Sequence, residues 1–285
     1  MKEVCLFSNE KIAENIYVIT ENYDPGHRFT IGLVVGEKKA AVIDAGLGMA
    51  GDLKAYVEWL IGTDREIICL VTHGHSDAVG GAGFFEEVYM NLKDLEGHPE
   101  SYDLTERINQ LGFFSGQNPE IIEYGKAHGK DNSTVAFRDL GEDSLFDLGG
   151  VRIEIIPMSG HTKGSVMVRV INKEGLSVTF CGDAFSTGMN HFMTMNGLEL
   201  KDYGDRLKKA LLKLEEREPI YCTHSQVAFT RKVGEAIANA VIEVANGQTE
   251  NDPLYINPFA RGKVQNLRTH YVENNYIVYD GDLVK

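Results

Sequence analysis

The sequence contains no run of 18 apolar residues, so no membrane-spanning helix is expected. Its first twenty residues, MKEVCLFSNEKIAENIYVIT, lack a basic stretch followed by a long apolar one, and no secretory leader is expected either. Cysteine is sparse. Cys5, Cys69, Cys181 and Cys222 are scattered and form no C-x-x-C pair, which suits reduced thiols in a cytoplasmic protein better than a disulfide framework. Positive charge is also scarce: 28 Lys and Arg stand against 42 Asp and Glu, a formal net charge of −14. Such a surface repels phosphate backbones, which argues against nucleic acid as the main partner. No Pro- or Ser-rich linker, short repeat or low-complexity tract divides the chain. No G-x-S-x-G, P-loop or Cys/His pair offers a nucleophile. What remains is 285 residues, 43% of them hydrophobic, enough for a sizeable core.

The first third reads as short β-prone runs, NIYVIT, FTIGLVVG and KAAVIDAG, with GEKK as the hairpin turn between the last two. DLKAYVEWLIG predicts a helix capped by Asp52, with Leu53, Val57, Leu60 and Ile61 on one face. EIICLVT reads as a strand buried on both faces. Residues 94–134 are polar, helix-like at first and then irregular, and are read as a surface insertion within a single domain spanning 1–285. Strands resume with VRIEIIPM, SVMVRVIN and LSVTFCGD. Two helices follow, one using Leu207, Leu211 and Leu214, the other Phe229, Val233, Ile237 and Val241. NYIVYDGDLV ends the pattern as a strand. Strands mixed with outer helices predict an α/β sandwich.

The chemistry concentrates in VTHGHSDAVGG. His73 and His75 are two apart at the end of a buried strand, where i and i+2 side chains can face one way and reach one ion. Asp77 adds an oxygen ligand. Three further polar residues each follow an apolar run: His161 in IIPMSGHTKGS, Asp183 in VTFCGDAF and His224 in PIYCTHSQ. A lone histidine after a strand is commonly a surface or core residue. H-x-H-x-D followed by these three contexts in this order is far more specific.

The set THGHSDAVGG, SGHTKGS, FCGDA and CTHS, preceded by VIDAG, resembles the metallo-β-lactamase fold superfamily of metal-dependent hydrolases over about residues 16–280. The resemblance implies a four-layer αββα sandwich with metals at one edge of its two sheets. It implies that His73, His75 and His161 bind a first metal, that Asp77 and His224 bind a second, and that Asp183 bridges them. Asp77 would also orient the catalytic hydroxide. Two zinc ions are expected, with Mn or Fe as options, above all at the second site. The family pattern continues H-x-H-x-D-H, and here the last position is Ala78, which leaves the second site one nitrogen short. CTHS likewise departs from the glycine-flanked histidine usual in the family.

The expected activity is hydrolysis of an ester, thioester, lactone or similar bond in a small-molecule substrate by metal-bound hydroxide. The alternatives are a mononuclear iron oxygenase of the same fold and a catalytically weakened metal- or ligand-binding protein. A homodimer is allowed. Asp44 in VIDAG is assigned to orienting ligands or loop amides. Cys181 and Cys222, each two residues before a proposed ligand, read as inert buried thiols. STGMNHFMTMNG, with Met189, His191, Phe192, Met193 and Met195, suits either a pocket wall or loop packing. His27, His98, His128 and His270 read as surface residues. Tyr23, His27 and Arg28 fall where the first hairpin would border the site.

Overall fold

The computed structural model describes residues 6–141, 144–256 and 266–284; Cys5 lies outside them. The elements run β1 (Phe7–Ala13), β2 (Ile16–Asp24), β3 (His27–Val35), β4 (Lys39–Ile43), α1 (Leu53–Ile61), β5 (Glu66–Val71), α2 (Ser76–Val79) and β6 (Val88–Met90). Then come α3 (Leu104–Phe114), α4 (Pro119–His128), β7 (Phe137–Asp139), β8 (Leu145–Asp147), β9 (Val151–Pro157), β10 (Val166–Asn172), β11 (Ser177–Phe180) and β12 (Met189–Phe192). The chain closes with α5 (Gly197–Leu211), β13 (Ile220–Cys222), β14 (Ser225–Phe229), α6 (Arg231–Ala245), β15 (Leu267–Val272) and β16 (Asn275–Asp280).

Two large sheets form, one ordered β1-β2-β3-β4-β5-β6-β7, the other β14-β13-β11-β10-β9-β8. Residue alternation along the strands dictates the layers. In β4 and β5, Ala41, Ile43, Ile68 and Leu70 face Ile153, Ile155, Val168 and Val170 of the second sheet. Their neighbours Ala40, Val42, Cys69 and Val71 face the other way, onto Leu53 and Val57 of α1. On the far side Ile156, Met158, Met167 and Cys181 pack with Leu207 and Leu211 of α5 and Ile237 and Val241 of α6. The stack is therefore helix, sheet, sheet, helix, as expected. No helix among the described residues is long and apolar enough to cross a membrane.

Three details differ from the sequence reading. Phe229 ends β14 rather than lying on α6, and Leu214 is buried beyond the end of α5. The segment read as irregular after residue 114 contains α4, capped by Asn118 with Pro119 at its first position. A third sheet, β12-β16-β15, pairs the GMNHF stretch in parallel with the C-terminal strand.

Candidate metal centre

Five of the six proposed ligands directly follow strand ends: His73 and His75 after β5, His161 after β9, Asp183 after β11 and His224 after β13. These ends are tied together by main-chain bonds. Val166 N–H donates to Thr72 O across the two sheets (2.9 Å), Thr223 N–H to Gly182 O (3.2 Å) and Thr30 N–H to Thr223 O (2.7 Å). β5 itself stops at Val71. His73 therefore lies past the strand and His75 is the N-cap of α2, which carries Asp77 in its first turn.

Asp44 orients His73. Its carboxylate accepts from Thr72 N–H (2.7 Å) and Thr72 Oγ1–H (2.9 Å). With that hydroxyl proton committed, Thr72 Oγ1 accepts from His73 Nδ1–H at 3.1 Å, and Nε2 carries a free lone pair toward the site. Asp44 occupies the left-handed region (φ 61°), a strained conformation that these bonds offset. Burial pushes its carboxyl up to about 8 against the pull of the Thr72 bonds. Gly182 (φ 54°) lets the Asp183 loop approach, since a Cβ there would stand 2.2 Å from Thr72 Oγ1.

Two donor groups converge. In one, single ligand atoms of His73, His75 and His161 all lie within 4.8 Å of one another; in the other, those of Asp77, Asp183 and His224 do. His75 Nδ1 and His161 Nε2 are 2.8 Å apart. His224 Nε2 is 3.1 Å from both Asp77 Oδ2 and Asp183 Oδ2. The groups adjoin: His73 Nε2 is 3.8 Å from Asp77 Oδ1 and 3.9 Å from Asp183 Oδ2, which is 3.6 Å from His161 Nε2. His73 Nε2 and Asp183 Oδ1 are buried with no hydrogen-bond partner. An orphaned buried polar atom costs about 1–3 kcal/mol, and two at the centre of such a donor set fit a cation.

The electrostatics agree. Burial pushes His75 down to about 3 and His161 down to about 4, and it lowers His73, so all three are neutral imidazoles at neutral pH, the form that can bind a metal. Burial alone would raise Asp77 and Asp183. The His224 hydrogen bonds and charge outweigh it, leaving Asp77 at about 2 and Asp183 well below its ordinary value. His224, whose side chain stays about half exposed, is raised by the two carboxylates against the desolvation of its ring. Cys181 and Cys222 lie in the α5/α6 core, and burial raises both thiols, Cys222 to about 11.

A cavity of about 650 Å³ opens beside the first group, lined by His75, His161, His98, His191, Met193 and Met195 among others. His98 is thus not a plain surface residue; its ring packs edge-on against His75 at 4.3 Å. His27 is half-buried beside Asp24 and the rings of Phe113 and Phe114. His270 lies between Asp252 and Glu243, and of the four histidines read as surface residues only His128 is an exposed ring, stacked on Tyr124. Tyr23 turns away from the cavity to bond Glu21 and Met49 N–H. Phe192 is a core residue, and Met189 packs against Tyr255 rather than lining the cavity.

The sequence reading missed Asp94. This buried carboxylate accepts from Gly74 N–H (2.9 Å), Thr162 Oγ1–H (2.6 Å) and Gly164 N–H (2.6 Å), pinning the loops of His73, His75 and His161 to one another. The insertion reaches the site there and again through Gln110 of α3, which accepts from Ser76 Oγ.

Comparison with known proteins follows the same lines. Residues 30–224 match the family described as the metallo-beta-lactamase superfamily. The acyl-coenzyme A thioesterase MBLAC2 of Gallus gallus is 27% identical over 64% of this chain and 67% of its own length. The protein of the same name from Homo sapiens is 24% identical over the same shares. A solved metallo-beta-lactamase of Cronobacter sakazakii superposes with a TM-score of 0.54, covering 84% of this chain and 96% of that one at 14% identity, a likeness of fold alone.

Proposed function

This chain belongs to the metallo-β-lactamase superfamily, and from that premise we propose that it is a zinc-dependent thioesterase, acting on acyl thioesters of the coenzyme A kind. The observation that carries the reading is the pair of adjoining donor groups at the head of a cavity large enough for a small molecule. The acyl-coenzyme A thioesterases among its relatives favour a thioester over other bonds.

His73, His75 and His161 would hold the first ion, and Asp77, Asp183 and His224 the second, with Asp183 between them. Ions held there supply an acidified water, its pKa lowered from 15.7 toward roughly 7, and a Lewis acid for the carbonyl. The chain's own residues do the rest. Asp44 and Thr72 fix the His73 tautomer. Asp77, held ionised and within 4 Å of both His73 and His224, can orient a water and accept its proton. The reaction converts a thioester and water into a carboxylate and a thiol. A thiol of pKa about 8.5 leaves as thiolate without a strong acid to protonate it. The second group has one imidazole and two carboxylates, with Ala78 adding nothing, so its ion is the more easily lost.

The test is metal content and turnover measured together. Protein purified with zinc should carry two ions per chain, hydrolyse acyl-coenzyme A in preference to oxygen esters and lactones, and lose one ion first under graded chelation. Turnover of lactones or esters without thioesters, or iron with oxygen consumption, would sink the reading.

A further inference from the structure

The cavity beside the metal centre has two lysines at its rim, Lys93 and Lys163, and both are exposed. They come from distant parts of the chain. Asp94, next to Lys93, accepts from Thr162 and Gly164, the two residues that flank Lys163. The approach is so close that a Cβ on Gly164 would stand 2.8 Å from Asp94 Cγ. One buried carboxylate therefore sets two lysine-bearing segments side by side. Lys39, Lys54 and Lys126 pair with Glu66, Glu86 and Glu123. Lys93 and Lys163 make no ion pair among the described residues, in a chain of net charge −14. Adjacent like charges repel unless an anion joins them.

We propose that Lys93 and Lys163 clamp a phosphate on the thiol half of the substrate, a placement that rests on the thioester reading above. The α5 side of the cavity suits an anion less: it carries the carboxylates of Glu199 and Asp202, and Arg206 there donates to Ser159 O. The N-terminus of α5 is closed by its own capping box, with Asn196 accepting from Leu198 and Glu199 N–H and Glu199 accepting from Asn196 N–H. A dianionic phosphate suits two ammonium point charges, whereas a single carboxylate suits a bidentate arginine. With the phosphate at the lysines, Met193 and Met195 are left as the apolar wall for the acyl chain.

The probes are coenzyme A and pantetheine, which share the thiol arm; coenzyme A adds the phosphates and a nucleoside, and the lysine substitutions separate the phosphate contribution from the nucleoside's. Titration calorimetry on the zinc-loaded protein should give coenzyme A an affinity on the order of tenfold higher, as two exposed charge contacts allow, shrinking with salt. In the K93A/K163A double variant that advantage should vanish, and the KM values of acyl-coenzyme A and acyl-pantetheine should converge. Equal binding of both probes to the natural protein, or an advantage that survives the double substitution, overturns the clamp. Failure of the natural protein to hydrolyse either thioester overturns the thioester reading instead, while the calorimetric comparison still decides the lysine pair.

Discussion

Ala78 has no room for the histidine that the family pattern places there. It is fully buried, shares the apolar cluster of Ala45, Leu53 and Val79, and its carbonyl accepts from Ala45 N–H at 2.7 Å. An Ala78→His side chain must force packed neighbours apart, at a cost of about 1–3 kcal/mol. We expect a lower urea midpoint and unchanged zinc affinity at the second donor group; a tighter second ion with an unchanged midpoint would refute this. The six proposed ligands were legible because ligation demands His and Asp at fixed spacings just past apolar runs. Asp94 was not, because a carboxylate that accepts backbone N–H groups leaves no spacing in the sequence. Its partners Gly74, Thr162 and Gly164 become its neighbours only when the two sheets meet. His98 reads as a surface residue in the sequence for the same reason, since it reaches His75 from a short helical turn whose position is set by tertiary packing.

Among the elements, α3 carries the least expected burden. Its Arg107 is fully buried and donates to the carbonyls of Leu47 (3.1 Å), Gly80 and Lys130. These belong to the loop before α1, the end of α2 and the close of the insertion. An Arg107→Ala substitution strands buried acceptors, and we expect a loss of about 3 kcal/mol or more. Because Gly80 closes the turn that holds His75 and Asp77, zinc should also be stripped at lower chelator concentration. Thermal melts with and without chelator test both, and an equal fall in each condition would leave Arg107 a purely structural residue. The long apolar strands β2–β5 and β9–β11 and the helices α1, α5 and α6 were readable from their patterns, whereas the short or exposed strands β1, β6–β8, β14 and β15 carried too little apolar signal to be read. α4 was obscured by its polar composition and by Gly125, which is required because a Cβ there would lie 2.3 Å from Leu111 of α3. β12 was hidden because its partner β16 lies more than 80 residues further along, and such pairing has no local signature.

For the whole molecule, pH dependence has one sharply defined contributor outside the metal centre. Glu21 is buried and accepts from Tyr23 Oη–H and the N–H groups of Leu47, Gly48 and Met49. Burial wins over those bonds and pushes it from 4.5 up to about 7. The folded state thus binds this proton more tightly than the unfolded chain. Its contribution to stability is complete below 4.5 and is lost as pH rises toward about 7. The stability difference between the natural protein and Glu21→Gln should fall across that window and level off above it; a difference independent of pH would refute the assignment. A different consequence follows from where the thiols lie. Cys69 is sealed in the α1 flank, while Cys181 and Cys222 are sealed in the α5/α6 flank. An alkylating reagent can reach a sealed thiol only when its flank swings open. For these three thiols, mass spectrometry of a slow alkylation should therefore resolve two time courses, one for Cys69 and a second shared by Cys181 and Cys222, each timing how often one side of the molecule breathes.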